Sequence, residues 1–217
     1  MIVIYITTMK LLTKCVLSEF GGKVATRSEI NETCRKFRAN PKNTINYMIH
    51  CGFFIRILRG LYYVKNTEEF TLGKAVDVYK AVSSGMNKLK INWYFGLYTS
   101  LRLNGLTHEF FGTIFVLNNQ IFRPKEITIA GEKVKFTKLK NKLFGFGTIK
   151  RNGVIFSDPE KTTLDFIYVF KYRGVGEETI ISIIEDYSKN LKKNNLKAYL
   201  RFYPKSVWRV AEYAKLV

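Results

Sequence analysis

Long apolar runs are what this 217-residue sequence most plainly lacks. No stretch approaches the ~20 apolar residues that a membrane helix needs. The start, Ile2-Val3-Ile4-Tyr5-Ile6, is apolar for five residues and has no cleavage-type region behind it, too short for a signal peptide or a span. It reads as an extra strand or as an over-extended start, with Met1 and Met9 both open as the true beginning. The chain is expected in the cytoplasm, away from membranes. Metal-ligating residues are scarce as well. Cys15, Cys34 and Cys51 are odd in number and have no C-x-x-C spacing, and the histidines are His50 and His108. No zinc cluster assembles by spacing, and the cysteines read as small thiols in a reducing compartment. No metal or cofactor is expected.

Acidic residues are the third shortage. Lys plus Arg number 36 against 17 Asp plus Glu, a net charge of +19. That balance favours a polyanionic partner, because each neutralised phosphate releases counterions. A generally Lys-rich, thermophile-like composition is the alternative source of the charge. The excess is denser at the start, where residues 1–66 hold 11 basic and 3 acidic side chains. Hydrophobic content of 47% excludes a disordered chain.

The stretch from Lys23 to Val64 reads as a helix-turn-helix followed by a two-stranded wing. Ser28 is placed to cap a helix carrying Ile30, Cys34 and Phe37 on one stripe. Asn40 caps the next helix with Pro41 at its first position, and Gly52 ends it. In that second helix Ile45, Met48 and Ile49 face one way, and Lys42, Asn43, Asn46, Tyr47 and His50 the other. Phe53–Leu58 and Leu61–Val64 make two strands around Arg59-Gly60. A helix from Thr8 to Glu19 packs behind, and the expected core is Leu12, Val16, Ile30, Phe37, Ile45, Ile49, Ile55 and Tyr63. Asn pairs bidentately with adenine in the major groove, so Lys42, Asn43, Asn46, Tyr47 and His50 are the expected base readers. Arg27, Ser28, Arg35, Arg38, Arg56 and Arg59, with Lys36, are the expected phosphate and wing contacts. The plain alternative is a solvated polar face.

The fold class expected is α+β, an N-terminal winged helix-turn-helix followed by a mixed domain with a small sheet and several C-terminal helices. Residues 1–66 form the winged helix, 67–90 a connecting segment and 91–217 the second domain. Glu68–Lys80 is a plausible connecting helix, and Ser83-Ser84-Gly85-Met86-Asn87 the best linker signal. Trp93–Leu101 has helical length. Strands follow at Thr113–Leu117, Glu126–Ile129, Lys133–Thr137 and Val154–Phe156, with a hairpin turn at Ala130-Gly131-Glu132. Helices then cover roughly 158–171, 177–190, 194–202 and 205–216.

Ser157-Asp158-Pro159-Glu160-Lys161-Thr162-Thr163-Leu164-Asp165 concentrates carboxylates and invites a metal-dependent nuclease or phosphotransferase reading through Asp158, Glu160 and Asp165. Local physics supplies a structural one. Ser157 and Glu160 have capping-box spacing, Pro159 suits a first turn, and Asp165 lies one turn above Lys161. Gly145-Phe146-Gly147 does not continue as a dinucleotide fingerprint. No catalytic constellation emerges.

These residues carry a resemblance. The winged helix ends Leu58-Arg59-Gly60-Leu61-Tyr62; Tyr98-Thr99-Ser100-Leu101 runs through Asn104-Gly105-Leu106-Thr107; and Ser157–Asp165 is similar to an S-D-P-E-R-T-x-x-D run, with Lys161 where arginine is usual. Taken in order over nearly the whole chain, they resemble the AbiEi family, antitoxin and self-repressor of type IV toxin–antitoxin systems. The resemblance implies a winged helix that binds inverted repeats of double-stranded DNA in its own promoter, as a homodimer on that DNA. It implies a second domain that counters a nucleotidyltransferase-like toxin, and no enzymatic activity. A stand-alone regulator whose second domain dimerises or senses a ligand is the competing expectation, and a metal-dependent nucleic-acid enzyme a third.

Overall fold

The computed structural model describes the backbone of residues 2–189 and 191–217, and side chains from residue 9 onward within those ranges. The fold is α+β and divides into two compact units, Met1–Lys90 with Ile129–Gly131, and Ile91–Thr128 with Glu132–Val217.

The first unit runs α1 (Ile2–Phe20), β1 (Val24–Thr26), α2 (Arg27–Lys36), α3 (Pro41–His50), β2 (Phe54–Leu58), β3 (Leu61–Val64), α4 (Thr67–Thr71) and α5 (Val78–Lys88). Its sheet has the order β1-β3-β2, antiparallel throughout. This is a helix pair followed by a hairpin, as the local signals anticipate. α1 begins at Ile2 rather than Thr8, so the apolar start is helix and not strand.

Leu12, Val16, Ile30, Cys34, Ile45 and Met48 pack on Phe54, Tyr62 and Val64. The expectation of Ile55 and Tyr63 in this core puts both strands one residue out of phase. Tyr63 is buried on the opposite face, where its hydroxyl donates to Glu69 Oε1 at 2.7 Å. The sheet is covered on both faces, so alternation carries no signal of which side is which. α5 supplies the second cover, and Ser83–Asn87, expected as linker, lies within it. Ser83, Gly85 and Met86 are buried. A Cβ on Gly85 would stand 3.0 Å from Ile57 Cδ1 and 3.2 Å from Leu61 Cδ2. Small residues here let the helix lie close on the sheet, not loosen the chain. Gly85→Val should therefore destabilise the first unit by about 1–3 kcal/mol through overpacking, read as a lower urea midpoint at unchanged slope.

The second unit contains β4 (Trp93–Phe95), α6 (Tyr98–Leu103), β5 (Thr113–Asn118), β6 (Ile127–Ile129, whose last residue is grouped with the first unit), β7 (Glu132–Lys138), β8 (Thr148–Arg151), β9 (Val154–Ser157), α7 (Pro159–Tyr172), α8 (Glu177–Glu185), α9 (Lys193–Leu200) and α10 (Lys205–Tyr213). The sheet order is β6-β7-β5-β4-β9-β8, with β5·β7 and β4·β9 parallel. Trp93–Leu101 is not one helix. Its three aromatics form a central strand, as bulky rings favour. Gly96 follows where a Cβ would meet Leu117 Cδ1 at 2.4 Å, and Leu97 takes φ 53° before α6 starts. β8 was not anticipated, although Asn152-Gly153, with φ of 50° and 79°, is a strong hairpin signal. Leu101, Leu117, Leu164, Ile167, Leu196 and Val210 belong to this unit's core. No helix among the described residues is long and apolar enough to cross a membrane.

Candidate nucleic-acid interface

α2 is started by Thr26, not Ser28. Thr26 Oγ1 accepts from the Glu29 N–H at 3.3 Å, and Glu29 Oε2 accepts from the Thr26 N–H at 2.8 Å, a reciprocal capping box. The spacing from Thr26 to Glu29 fits that motif, whereas Ser28 has no carboxylate three residues on. Burial works to raise the Glu29 carboxyl, but Lys88, 2.6 Å from Oε1, and the Thr26 donors hold it below its ordinary range. Ser28 is left exposed in the first turn.

α3 has the expected signals. Asn40 Oδ1 accepts from the Asn43 N–H at 3.1 Å and Pro41 occupies the first turn. Thr44, Ile45 and Met48 are buried, while Lys42, Asn43, Asn46, Tyr47 and His50 are all exposed. These five make one continuous polar face of the helix.

Both helices of the pair end in the same bonding pattern. After α3, the Gly52 N–H bonds to the Ile49 carbonyl and the Phe53 N–H to that of Met48, with Gly52 at φ 76°. After α2, the Arg38 N–H bonds to Arg35 and the Ala39 N–H to Cys34, with Arg38 at φ 51°. This is a Schellman motif in both cases. Glycine fills the left-handed position freely; arginine does so against its own backbone preference. Arg38 is thereby held at the corner of the turn with its side chain exposed.

The wing is short. Its tip, Arg59-Gly60, is tied to the start of α2, because the Gly60 carbonyl accepts from the Arg27 N–H at 2.8 Å. Arg27 and Arg59, both exposed, therefore share one corner. Arg56 is exposed on β2 and lies 5.9 Å from the centroid of the Tyr62 ring. Arg35 and Lys36 are exposed at the far end of α2.

The Ser157–Asp165 run is the reverse of an interface: it is buried. Asp158, not Ser157, caps α7, accepting from the Lys161 N–H at 2.7 Å and from the Tyr199 hydroxyl at 2.9 Å. Ser157 ends β9 instead, where its Oγ bonds Thr162 Oγ1 at 2.8 Å; Ser100 Oγ reaches the same hydroxyl at 2.9 Å. Glu160 Oε1 accepts from the Lys192 N–H at 2.9 Å. Asp165 is fully buried and accepts from Tyr94 at 2.8 Å and from Tyr203 at 2.7 Å. Lys161 Nζ stands 3.8 Å from Asp165, donates to the Leu143 carbonyl at 2.7 Å, and lies 4.1 Å from the Phe146 ring centroid. Burial pushes the Asp165 carboxyl up and the Lys161 ammonium down, and each charge partly restores the other. Asp158, Glu160 and Asp165 thus turn to three different sets of partners. Among the described residues no group of three His, Cys, Asp or Glu side chains is arranged to hold a metal ion.

Sequence reasoning missed Tyr94 and Tyr203, which lie 71 and 38 residues from Asp165 along the chain. No local pattern points to them; only a buried carboxylate demanding donors does.

No family model matches this chain, and no curated protein matches it in sequence. In structure it is similar to the RV2827C protein from Mycobacterium tuberculosis, with a TM-score of 0.60 at 13% identity, over 96% of this chain and 76% of that one. At this identity the likeness concerns the fold alone.

Proposed function

We propose that this protein is a sequence-specific DNA-binding repressor of the AbiEi type, which represses its own operon and counters a nucleotidyltransferase-like toxin. The observation that carries the DNA reading is the exposed face of α3. Lys42, Asn43, Asn46, Tyr47 and His50 point away from a core that Ile45 and Met48 fill, in the more basic part of the chain, which also carries the Arg27–Arg59 corner. Asparagines three residues apart on a groove-sized helix suit adenine readout, and arginines at a tied wing tip suit phosphate. The antitoxin half rests on the resemblance of the Ser157–Asp165 run and the order of motifs. The inward use of Asp158, Glu160 and Asp165 favours a scaffold role for that run over metal-dependent catalysis.

The deciding experiment is a salt-dependent anisotropy titration on the chain's own upstream DNA against a scrambled duplex of equal length. Tighter binding to the native duplex that persists as salt rises is expected. Equal binding that fades together would reduce the matter to attraction by net charge and remove the claim of α3. Asn46→Ala should weaken native binding by about 1–3 kcal/mol, roughly 5- to 150-fold, with little change on the scrambled duplex. Arg59→Ala should weaken both and lower the salt slope by about one unit.

Arg38→Gly separates stability from binding. Relief of the left-handed backbone should stabilise the first unit by about 0.5–1 kcal/mol, after allowing for glycine's freedom in the unfolded chain. Loss of the cation should weaken both duplexes alike. A variant that is more stable and binds as before would strike Arg38 from the phosphate contacts. The toxin arm is a growth assay: co-expression should rescue cells from a neighbouring nucleotidyltransferase, and failure to rescue would leave a stand-alone regulator.

A further inference from the structure

A cavity of about 650 Å3 lies wholly within the second unit. It forms where the sheet edge is incomplete. β6 has three residues against seven in β7, and the tight turn at Ala130-Gly131 joins them, so β6 runs out before the C-terminal half of β7. There the Arg123 N–H donates to the Phe136 carbonyl at 3.4 Å, so Phe122 and Pro124 run alongside the C-terminal half of β7, and they line the cavity together with Lys135–Lys140 and the end of α7.

The walls share a chemistry. Lys135, Lys138, Lys140 and Arg173 line the cavity, and no aspartate or glutamate does. Phe122 and Tyr172 are 65% and 87% exposed, unusual for rings with nothing to cover them. The Arg173 guanidinium makes one hydrogen bond among the described residues, a long one of 3.4 Å to Thr137 Oγ1. An arginine at a helix end ordinarily answers the helix dipole. Here the guanidinium leans across to β7 instead of back to the α7 carbonyls, and most of its five donors remain unused.

We infer that this cavity binds a nucleoside phosphate, as a free nucleotide or as the phosphorylated end of a single strand. The volume is that of a small-ligand site. The exposed rings supply stacking faces for a base, and the Arg173 fork with its neighbouring lysines supplies the phosphate contacts. An acidic peptide would satisfy the cations and leave the rings idle. The site belongs to the second unit and does not depend on duplex binding by the first.

The test is calorimetric titration of the full-length protein with AMP, with a 5′-phosphorylated oligothymidylate and with inorganic phosphate. Saturable one-to-one binding of AMP or of the oligonucleotide is expected, with phosphate at least about tenfold weaker. Arg173→Gln and Tyr172→Ala should each lower the affinity at least about tenfold at unchanged melting temperature, since both side chains are exposed. Lys197→Gln, an exposed cation on α9 that does not line the cavity, should leave it unchanged. Binding of AMP alone would identify a free nucleotide, and of the oligonucleotide alone a strand end. Three results would overturn the inference: no saturation with either probe, phosphate binding as tightly as both, or equal losses from Arg173→Gln and Lys197→Gln.

Discussion

Asp165→Ala should destabilise the second unit by about 3–5 kcal/mol, the range for breaking a buried ion pair by removing one partner. Three groups lose their answer at once. Lys161 keeps a buried ammonium with only the Asp158 charge acting on it, and the Tyr94 and Tyr203 hydroxyls lose the acceptor that each meets at under 3 Å. The side chain sits on α7 between the sheet and the C-terminal helices, so no solvent can replace it without opening the core. Both tryptophans, Trp93 and Trp208, lie in this unit, so their fluorescence follows its unfolding alone. Paired removal gives the control. Lys161→Met with Asp165→Leu deletes both charges and should recover the part of the loss that comes from the stranded cation, while the Tyr94 and Tyr203 hydroxyls still lack their acceptor. A loss below about 1 kcal/mol in Asp165→Ala would mean that this network does not hold the unit together.

The second large effect is alkaline. Burial, and then the Asp165 charge, push the Tyr94 and Tyr203 hydroxyls well above their ordinary value of 10. Above pH 10 the unfolded chain releases both protons while the native chain keeps them, so the unfolded state binds fewer protons and stability falls as pH rises. Two such groups give a slope of up to about 3 kcal/mol per pH unit. Tyr199, pushed to about 12 by burial and its bond to Asp158, acts in the same direction from a more open position. Lys161 acts oppositely. Its folded value lies below 10.5, so its contribution rises with pH up to about that point and is flat beyond it. The decline therefore dominates above about pH 10.5. Tyrosinate absorbance and tryptophan fluorescence should change together in one cooperative step for the two buried rings. Smooth ionisation of all 13 tyrosines at constant fluorescence would contradict the burial of the pair.

The legible parts of this protein are the ones whose physics closes within a turn or two of chain. Asn40, Pro41 and Gly52 bound α3 because caps and terminators act on neighbours, and Ile45 and Met48 reveal its buried side because helical period is local. The same locality explains one near miss and not the other. Thr26 takes the cap from Ser28 because Glu29 lies three residues on from Thr26 and no carboxylate follows Ser28 at that spacing. Asp158 takes it from Ser157 although Ser157 has Glu160 at the capping-box spacing, because Ser157 ends β9 and its hydroxyl bonds Thr162 instead. Elsewhere local pattern is silent. Ser83–Asn87 has the composition of a linker, yet smallness serves equally well where a helix lies flat on Ile57 and Leu61. Which face of β2 and β3 meets α1–α3 is undetermined by alternation when both faces are buried.

Sequence by itself determined the helix pair ahead of the β2–β3 hairpin, the exposed polar face of α3 and the basic excess of residues 1–66, since each follows from spacing and charge. Only tertiary structure decided that Asp165 faces Tyr94 and Tyr203, that Lys161 lies among their rings, and that four cations and two bare rings meet at the unfinished edge of β7. Those contacts join residues far apart in the chain, and what selects them is the need to satisfy charges that the core has already enclosed.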